Sequence, residues 1–153
     1  MVWYLYELNN LTEAEHQVVA NAFRNRSSIP IPVDVAPVIQ SKNGYDQIRF
    51  KWNDGTYTFE ARWHDATPNA PEGTIPNWRV NRTTPGSAGS RNRVTGEKIQ
   101  GFAAEEMVMI WPTDADPKYI PRKVWDDART AYGRNQATAE QREILRQGHF
   151  IPK

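Results

Sequence analysis

Apolar and polar positions alternate most clearly in the middle of the chain. Ile48-Arg-Phe-Lys-Trp52 and Tyr57-Thr-Phe-Glu-Ala-Arg-Trp-His64 both run with period two, and Asn53-Asp54-Gly55-Thr56 between them is turn chemistry. Residues 47–64 therefore predict a β-hairpin. With Asp54-Gly55 as a two-residue turn, Trp52 pairs with Tyr57, Phe50 with Phe59 and Ile48 with Ala61. These pairs build one apolar face that runs on to Trp63. The opposite face pairs Lys51 with Thr58 and Arg49 with Glu60, and continues to Arg62 and His64. A slip of one residue would mix the two sets, so the faces are well specified.

Helical spacing marks three other segments. Thr12-Glu-Ala-Glu15 is a capping box, and Val18, Val19, Ala22 and Phe23 follow at helical spacing, which predicts a helix over 13–25. Val124, Trp125, Ala128 and Tyr132 form an apolar stripe over 121–132, with Pro121 at the first helical position. Thr138-Ala-Glu-Gln141 is a second capping box and opens a short helix that stops at Gly148. Strands are predicted near 77–82 and 106–111. Residues 87–101, rich in Gly and Ser and carrying Arg91, Arg93 and Lys98, read as a mobile basic loop. Three prolines between Ser27 and Pro37 make an extended connection. The expected architecture is α+β, a small antiparallel sheet flanked by an N-terminal helix and two C-terminal helices. Residues 1–40 form an arm with its connection, and 41–153 the main body.

Composition narrows the function classes. The 153 residues contain no cysteine, which removes disulfide scaffolds, zinc fingers and thiol nucleophiles. No apolar run exceeds six residues, far short of a membrane span. Val2-Trp-Tyr-Leu-Tyr6 lacks the basic flank and small-residue cleavage site of a signal peptide. Net charge is +1, but residues 79–153 hold thirteen Lys/Arg against nine Asp/Glu, while the residues before them are net acidic. That balance fits a local basic groove rather than a wholly cationic surface.

Candidate chemistry centres on the hairpin's second strand. Glu60, Arg62 and His64 share one face, and a base, a guanidinium and an imidazole are the groups that cleave RNA without metal. One group takes the proton of the ribose 2′-hydroxyl, another protonates the leaving 5′-oxygen, and the cation stabilises the phosphorane. The bland alternative is a solvated charged row with a cross-strand Arg49–Glu60 pair. Glu60 and His64 are about 13 Å apart at strand rise, so His64 needs a partner from another element unless the strand bends. His149, after Gly148, is either that second imidazole or a cap on the helix-end carbonyls. Arg79 and Arg82 point to opposite faces, so only one of them joins the row. Thr67, Thr83 and Thr84 are hydrogen-bond donors to phosphate or turn residues. Asp114-x-Asp116, between prolines, reads as a solvated loop, and His16 as a surface residue. No P-loop, dinucleotide fingerprint, nucleophile elbow or zinc helix is present in the sequence.

Phe59-Glu-Ala-Arg-Trp-His-Asp-Ala-Thr-Pro-Asn-Ala-Pro71, Trp78-Arg-Val-Asn-Arg82 with Pro85-Gly86, and a tail of Trp125-Asp-Asp-Ala, Ala137-Thr-Ala-Glu-Gln141, Leu145 and Gly148-His-Phe150 carry a resemblance. Over about residues 45–153 the chain resembles the C-terminal toxin domains of bacterial polymorphic toxins, as attached to LXG-type secreted proteins. The resemblance implies a ribonuclease delivered from one bacterium and acting in the cytoplasm of another. It also implies a cognate immunity protein, expected to be acidic, and a delivery module preceding the toxin. By it, Glu60, Arg62 and His64 match the family's polar strand, Thr67 its Thr-Pro turn and Arg82 its second basic position. Asn81 stands where an acidic residue is expected, so no acid role is carried there.

The resulting expectation is a metal-independent ribonuclease toxin that needs no cofactor. His64 is acid or base, Arg62 the phosphorane stabiliser, Glu60 a base or the orienter of Arg62, and Arg82 a phosphate contact. His149 and Arg79 stand as further candidates, and the side chains of Arg62 and His64 are expected on a polar face outside the core. The rivals are a metal-dependent deoxyribonuclease at His64 and a non-enzymatic protein-binding domain.

Overall fold

The computed structural model describes residues 12–27, 29–42, 45–64 and 77–149. Helix α1 (Glu13–Asn25) leads into β1 (Val38–Lys42), β2 (Tyr45–Asn53), β3 (Thr58–His64) and β4 (Asn77–Thr84). A ribbon of β5 (Ser90–Arg91) and β6 (Lys98–Ile99) precedes β7 (Glu105–Ile110) and β8 (Lys118–Pro121). Helices α2 (Arg122–Gly133) and α3 (Ala139–Gly148) follow. Strands β1, β2, β3, β4, β7 and β8 lie side by side in that order in one antiparallel sheet, so the expected α+β arrangement is the one observed.

Both capping boxes form. The Thr12 hydroxyl accepts the Glu15 amide while the Glu15 carboxylate accepts the Thr12 amide, and Thr138 and Gln141 do the same for α3. Pro121 closes β8 and stands just before α2, whose first residue is Arg122, one place later than expected. β1 and β8 are sheet edges of five and four residues with no clean alternation, and the sequence pattern does not predict them.

One face of the sheet carries Ile48, Phe50, Trp52, Phe59, Ala61, Trp63, Trp78 and Val80, and α1 packs Val19, Ala20 and Phe23 onto it. Phe23 and Trp63 meet at 5.3 Å and Trp63 and Trp78 at 5.7 Å between ring centroids. Helix and sheet thus share one core. The opposite face is covered at its β7–β8 end, where Val108 and Ile110 join Trp125, Ala128 and Leu145 of the C-terminal helices. The central strand β4 is consequently buried on both sides over Asn77–Asn81.

Two expectations are corrected. The β2–β3 register is displaced by two residues: Trp52 opposes Phe59, Phe50 opposes Ala61 and Ile48 opposes Trp63. The side chain of Asp54 causes this. Its Oδ1 accepts the amides of Thr56 (2.9 Å) and Tyr57 (2.8 Å), which stabilises a four-residue loop over 54–57 in place of a two-residue turn. Gly55 takes a positive φ of 98° inside that loop. A shift of two preserves the faces but changes every cross-strand partner. Residues 87–101, expected as a loop, instead form the β5–β6 ribbon, closed at its base by the paired backbones of Ser87 and Phe102.

Candidate functional site

The face of β2, β3 and β4 turned away from α1 is polar, and the ladder arranges it in rungs. Gln47, His64 and Asn77 form one rung, Arg49, Arg62 and Arg79 the next, and Lys51, Glu60 and Asn81 the third. The middle rung places three arginines side by side on three neighbouring strands. Like charges directly opposite one another destabilise a sheet, so the rung carries a cost that an anion would relieve. Glu60 supplies part of the compensation, with Oε1 2.9 Å from Arg62 Nε.

Arg79 is the extreme case. It is 4% exposed, makes no ion pair among the described residues, and its Nε has no hydrogen-bond partner there. Its guanidinium lies 5.2 Å from the centre of the Trp125 ring. Burial, with the neighbouring Arg62, Arg129 and Arg122, pushes its proton affinity well below that of ordinary arginine.

His64 lies beside this rung and is 2% exposed. Gln47 gives its amide protons to Gln40 (2.8 Å), so its Oε1 is left to accept the His64 Nε2 proton at 3.2 Å. Burial first, and then the field of Arg62, Arg79, His149 and Arg129, lowers the His64 pKa to about 3. His64 is therefore a neutral imidazole at neutral pH. Its burial overturns the expectation of a side chain outside the core.

His149 reaches the same region from the end of α3. Its ring packs on Trp125 at 5.0 Å, and Nδ1 donates to the Leu145 carbonyl at 2.6 Å, which is the helix-end cap expected of it. That bond places the proton on Nδ1 and leaves Nε2 buried without a partner among the described residues. Burial, with Arg79, Arg129 and Arg62, lowers its pKa to about 4, against the opposing effect of the Leu145 carbonyl. Gly148 makes the approach possible, because a Cβ there would lie 2.2 Å from the Trp125 ring. Beside the cluster, Glu106 accepts from Asn81 (2.7 Å) and Arg122 (2.8 Å), and Arg122 Nε also donates to Asp126 at 3.0 Å.

The structure thus brings Glu60, Arg62, His64 and Arg79 to one sheet face, with His149 arriving at them from α3. It does not bring Arg82 there. Arg82 is on the α1 face, held between the rings of Tyr57 (4.2 Å) and Tyr119 (4.0 Å). Thr67 lies outside the described residues. Sequence reasoning missed Arg49 as a neighbour of Arg62, together with Gln47, Asn77, Arg129 and Trp125. The odd-numbered parity of Gln47, Arg49 and Lys51 was a usable signal for the first two positions, but the contribution of α2 depends on tertiary packing. The site can attract an anion, hold it by guanidinium donors, and offer it two unprotonated imidazoles. No protein-family model, curated protein or solved structure matches this chain.

Proposed function

We propose that this polar face binds an RNA phosphodiester and cleaves it, without metal, by attack of the ribose 2′-hydroxyl. The observation that carries the reading is the buried Arg79 beside Arg49 and Arg62, with no carboxylate partner of its own among the described residues and two neutral imidazoles in the same electric field. A metal cation would be repelled by these guanidinium groups, whereas a phosphate diester is attracted.

Arg62 and Arg129, both partly buried, meet the phosphate first, and the imidazoles come into reach as those side chains part. The bound anion offsets the arginine field, and the parting of the covering side chains relieves the burial that is the larger cause, so both pKa values rise on binding. His64 accepts the 2′-hydroxyl proton as the 2′-oxygen bonds to phosphorus. His149, protonated in the anion complex, gives a proton to the departing 5′-oxygen. Arg62 and Arg79 stabilise the charge on the pentacovalent phosphorus, and Glu60 orients Arg62 through their ion pair. The products are a 2′,3′-cyclic phosphate and a 5′-hydroxyl.

With the resemblance described above, this reading makes the chain the toxin domain of a secreted bacterial protein. It acts in the cytoplasm of a target cell and is neutralised by an acidic immunity protein that covers the cationic face. Inducible expression in bacteria, followed by a gel of total RNA, tests it. Wild type arrests growth and fragments RNA, and His64→Gln does neither. The burial of both imidazoles favours one second reading, a domain that grips a polyanion without cutting it. In that case the RNA stays intact on the same gel.

A further inference from the structure

The ribbon between β4 and β7 continues their pairing. Thr84 opposes Glu105, Ser87 opposes Phe102, Ser90 opposes Ile99 and Arg91 opposes Lys98. The two numbers in each pair keep a constant total, so no residue is inserted or lost from the sheet to the ribbon. Seven residues separate Thr84 from Arg91, which at strand rise is up to about 23 Å beyond the sheet.

The ribbon has no core of its own: every residue from Pro85 to Gln100 is exposed, including Val94 at 94%. A two-stranded ribbon of this kind gains little stability from itself. Its chemistry is cationic, with Arg91, Arg93 and Lys98 against Glu97. Arg91 and Lys98 are directly opposed like charges, an arrangement that destabilises the free ribbon. Ladder parity assigns Arg91 to the same side as Arg79, and Lys98 to the same side as Val108, which is the side of the arginine rung. Phe102, 64% exposed, falls on that side as well.

We propose that this ribbon is a grip for the RNA backbone, holding the strand at a distance from the point of cleavage. The proposal rests on the reading of the polar face as an RNA site. The spacing sets its scale. From Arg79 in the rung to Arg91 is twelve residues, up to about 40 Å at strand rise, which at about 3.4 Å per nucleotide of helical strand corresponds to about twelve nucleotides. A dinucleotide can then occupy the arginine rung but cannot reach Arg91 and Lys98, while a 20-nucleotide strand engages both.

The test uses a variant carrying Arg91→Gln, Arg93→Gln and Lys98→Gln, three exposed positions whose replacement leaves no cavity. Affinity for a fluorescein-labelled 20-nucleotide 2′-O-methyl RNA, which cannot be cleaved by 2′-hydroxyl attack, is measured by anisotropy from 50 to 200 mM KCl. Cleavage of a dinucleotide is measured in parallel. The expected result is weaker binding of the 20-mer, with a slope of log K against log salt shallower by about 2, as loss of three single-strand phosphate contacts requires. Dinucleotide cleavage by the variant matches wild type. Unchanged 20-mer affinity and slope overturn the grip, even if wild type cleaves the dinucleotide. If wild type fails to cleave the dinucleotide while the 20-mer slope still falls, the cleavage reading fails and the grip stands.

Discussion

Arg62 stands directly opposite Arg79 across the β3–β4 ladder, and directly opposite Arg49 on its other side. A two-residue turn at Asp54-Gly55 would have paired Arg49 with Glu60 and produced an ordinary surface ion pair. The Asp54 loop moves the register by two and sets Arg49 against Arg62 instead, leaving Glu60 to compensate Arg62 along its own strand. Arg79, the most buried of the three, is the member least able to recover its lost hydration.

An anion that binds the folded rung stabilises the protein by mass action. Phosphate or a non-cleavable RNA should raise Tm more than chloride does at equal ionic strength. At a ligand concentration of a hundred times Kd the gain is about 2.7 kcal/mol, or roughly 5–11 °C for a domain of this size. Arg79→Met should abolish the phosphate-specific part. Thermal unfolding monitored by tryptophan fluorescence checks both.

Acid should unfold the protein through its histidines. His64 and His149 are held at about 3 and about 4 when folded, below the imidazole value of 6.5. The unfolded chain therefore binds protons that the folded one refuses. Their contribution to stability is complete above pH 6.5 and is lost as pH falls toward 4 and then 3. From pH 7 to 5 the two together cost on the order of 4 kcal/mol. Urea denaturation at the two pH values measures this. His64→Gln and His149→Gln should each flatten the dependence, and so should saturating phosphate.

Gly148→Ala should be destabilising by about 1–3 kcal/mol, because its methyl group would occupy space held by the Trp125 ring. Trp125 supports both the Arg79 guanidinium and the His149 imidazole, so RNA cleavage should fall as well. Tm and single-turnover cleavage, measured below the variant's Tm, separate the two effects.

Arg82→Ala provides the contrast. The side chain stacks between Tyr57 and Tyr119 on the α1 face, and its removal should cost about 1 kcal/mol of stability through lost packing. RNA cleavage should stay within about twofold of wild type, whereas Arg62→Ala should reduce it by about 10²–10³-fold. Matched kinetic assays of the two variants decide which basic position belongs to the site.

Much of the fold was legible because its signals are local. The two capping boxes placed α1 and α3, and period-two alternation placed β2 and β3 with their faces correctly assigned. The register was not legible, since the choice between a two- and a four-residue loop depended on the Asp54 side chain and left the alternation unchanged. The site was half legible. Glu60, Arg62 and His64 were readable from parity on one strand, but their burial came from α2 and α3 packing over β4 and β7, which no local pattern encodes. The ribbon was hidden for a related reason: β5 and β6 have two residues each and no apolar period. Glycine lets their connections pass closely, with a Cβ on Gly101 falling 2.1 Å from the Ser87 carbonyl oxygen.

If the arginine rung and its imidazoles break RNA through the 2′-hydroxyl, removing that hydroxyl at one nucleotide must stop the cut there. The direct measurement compares two strands of identical sequence, one all-ribose and one with a single 2′-deoxy substitution at the nucleotide 5′ to the cut. Purified wild-type protein should cut the first to a 2′,3′-cyclic phosphate and a 5′-hydroxyl, and leave the deoxy position intact while still binding that strand. Cutting at the deoxy position, or failure to cut the all-ribose strand, would contradict that mechanism.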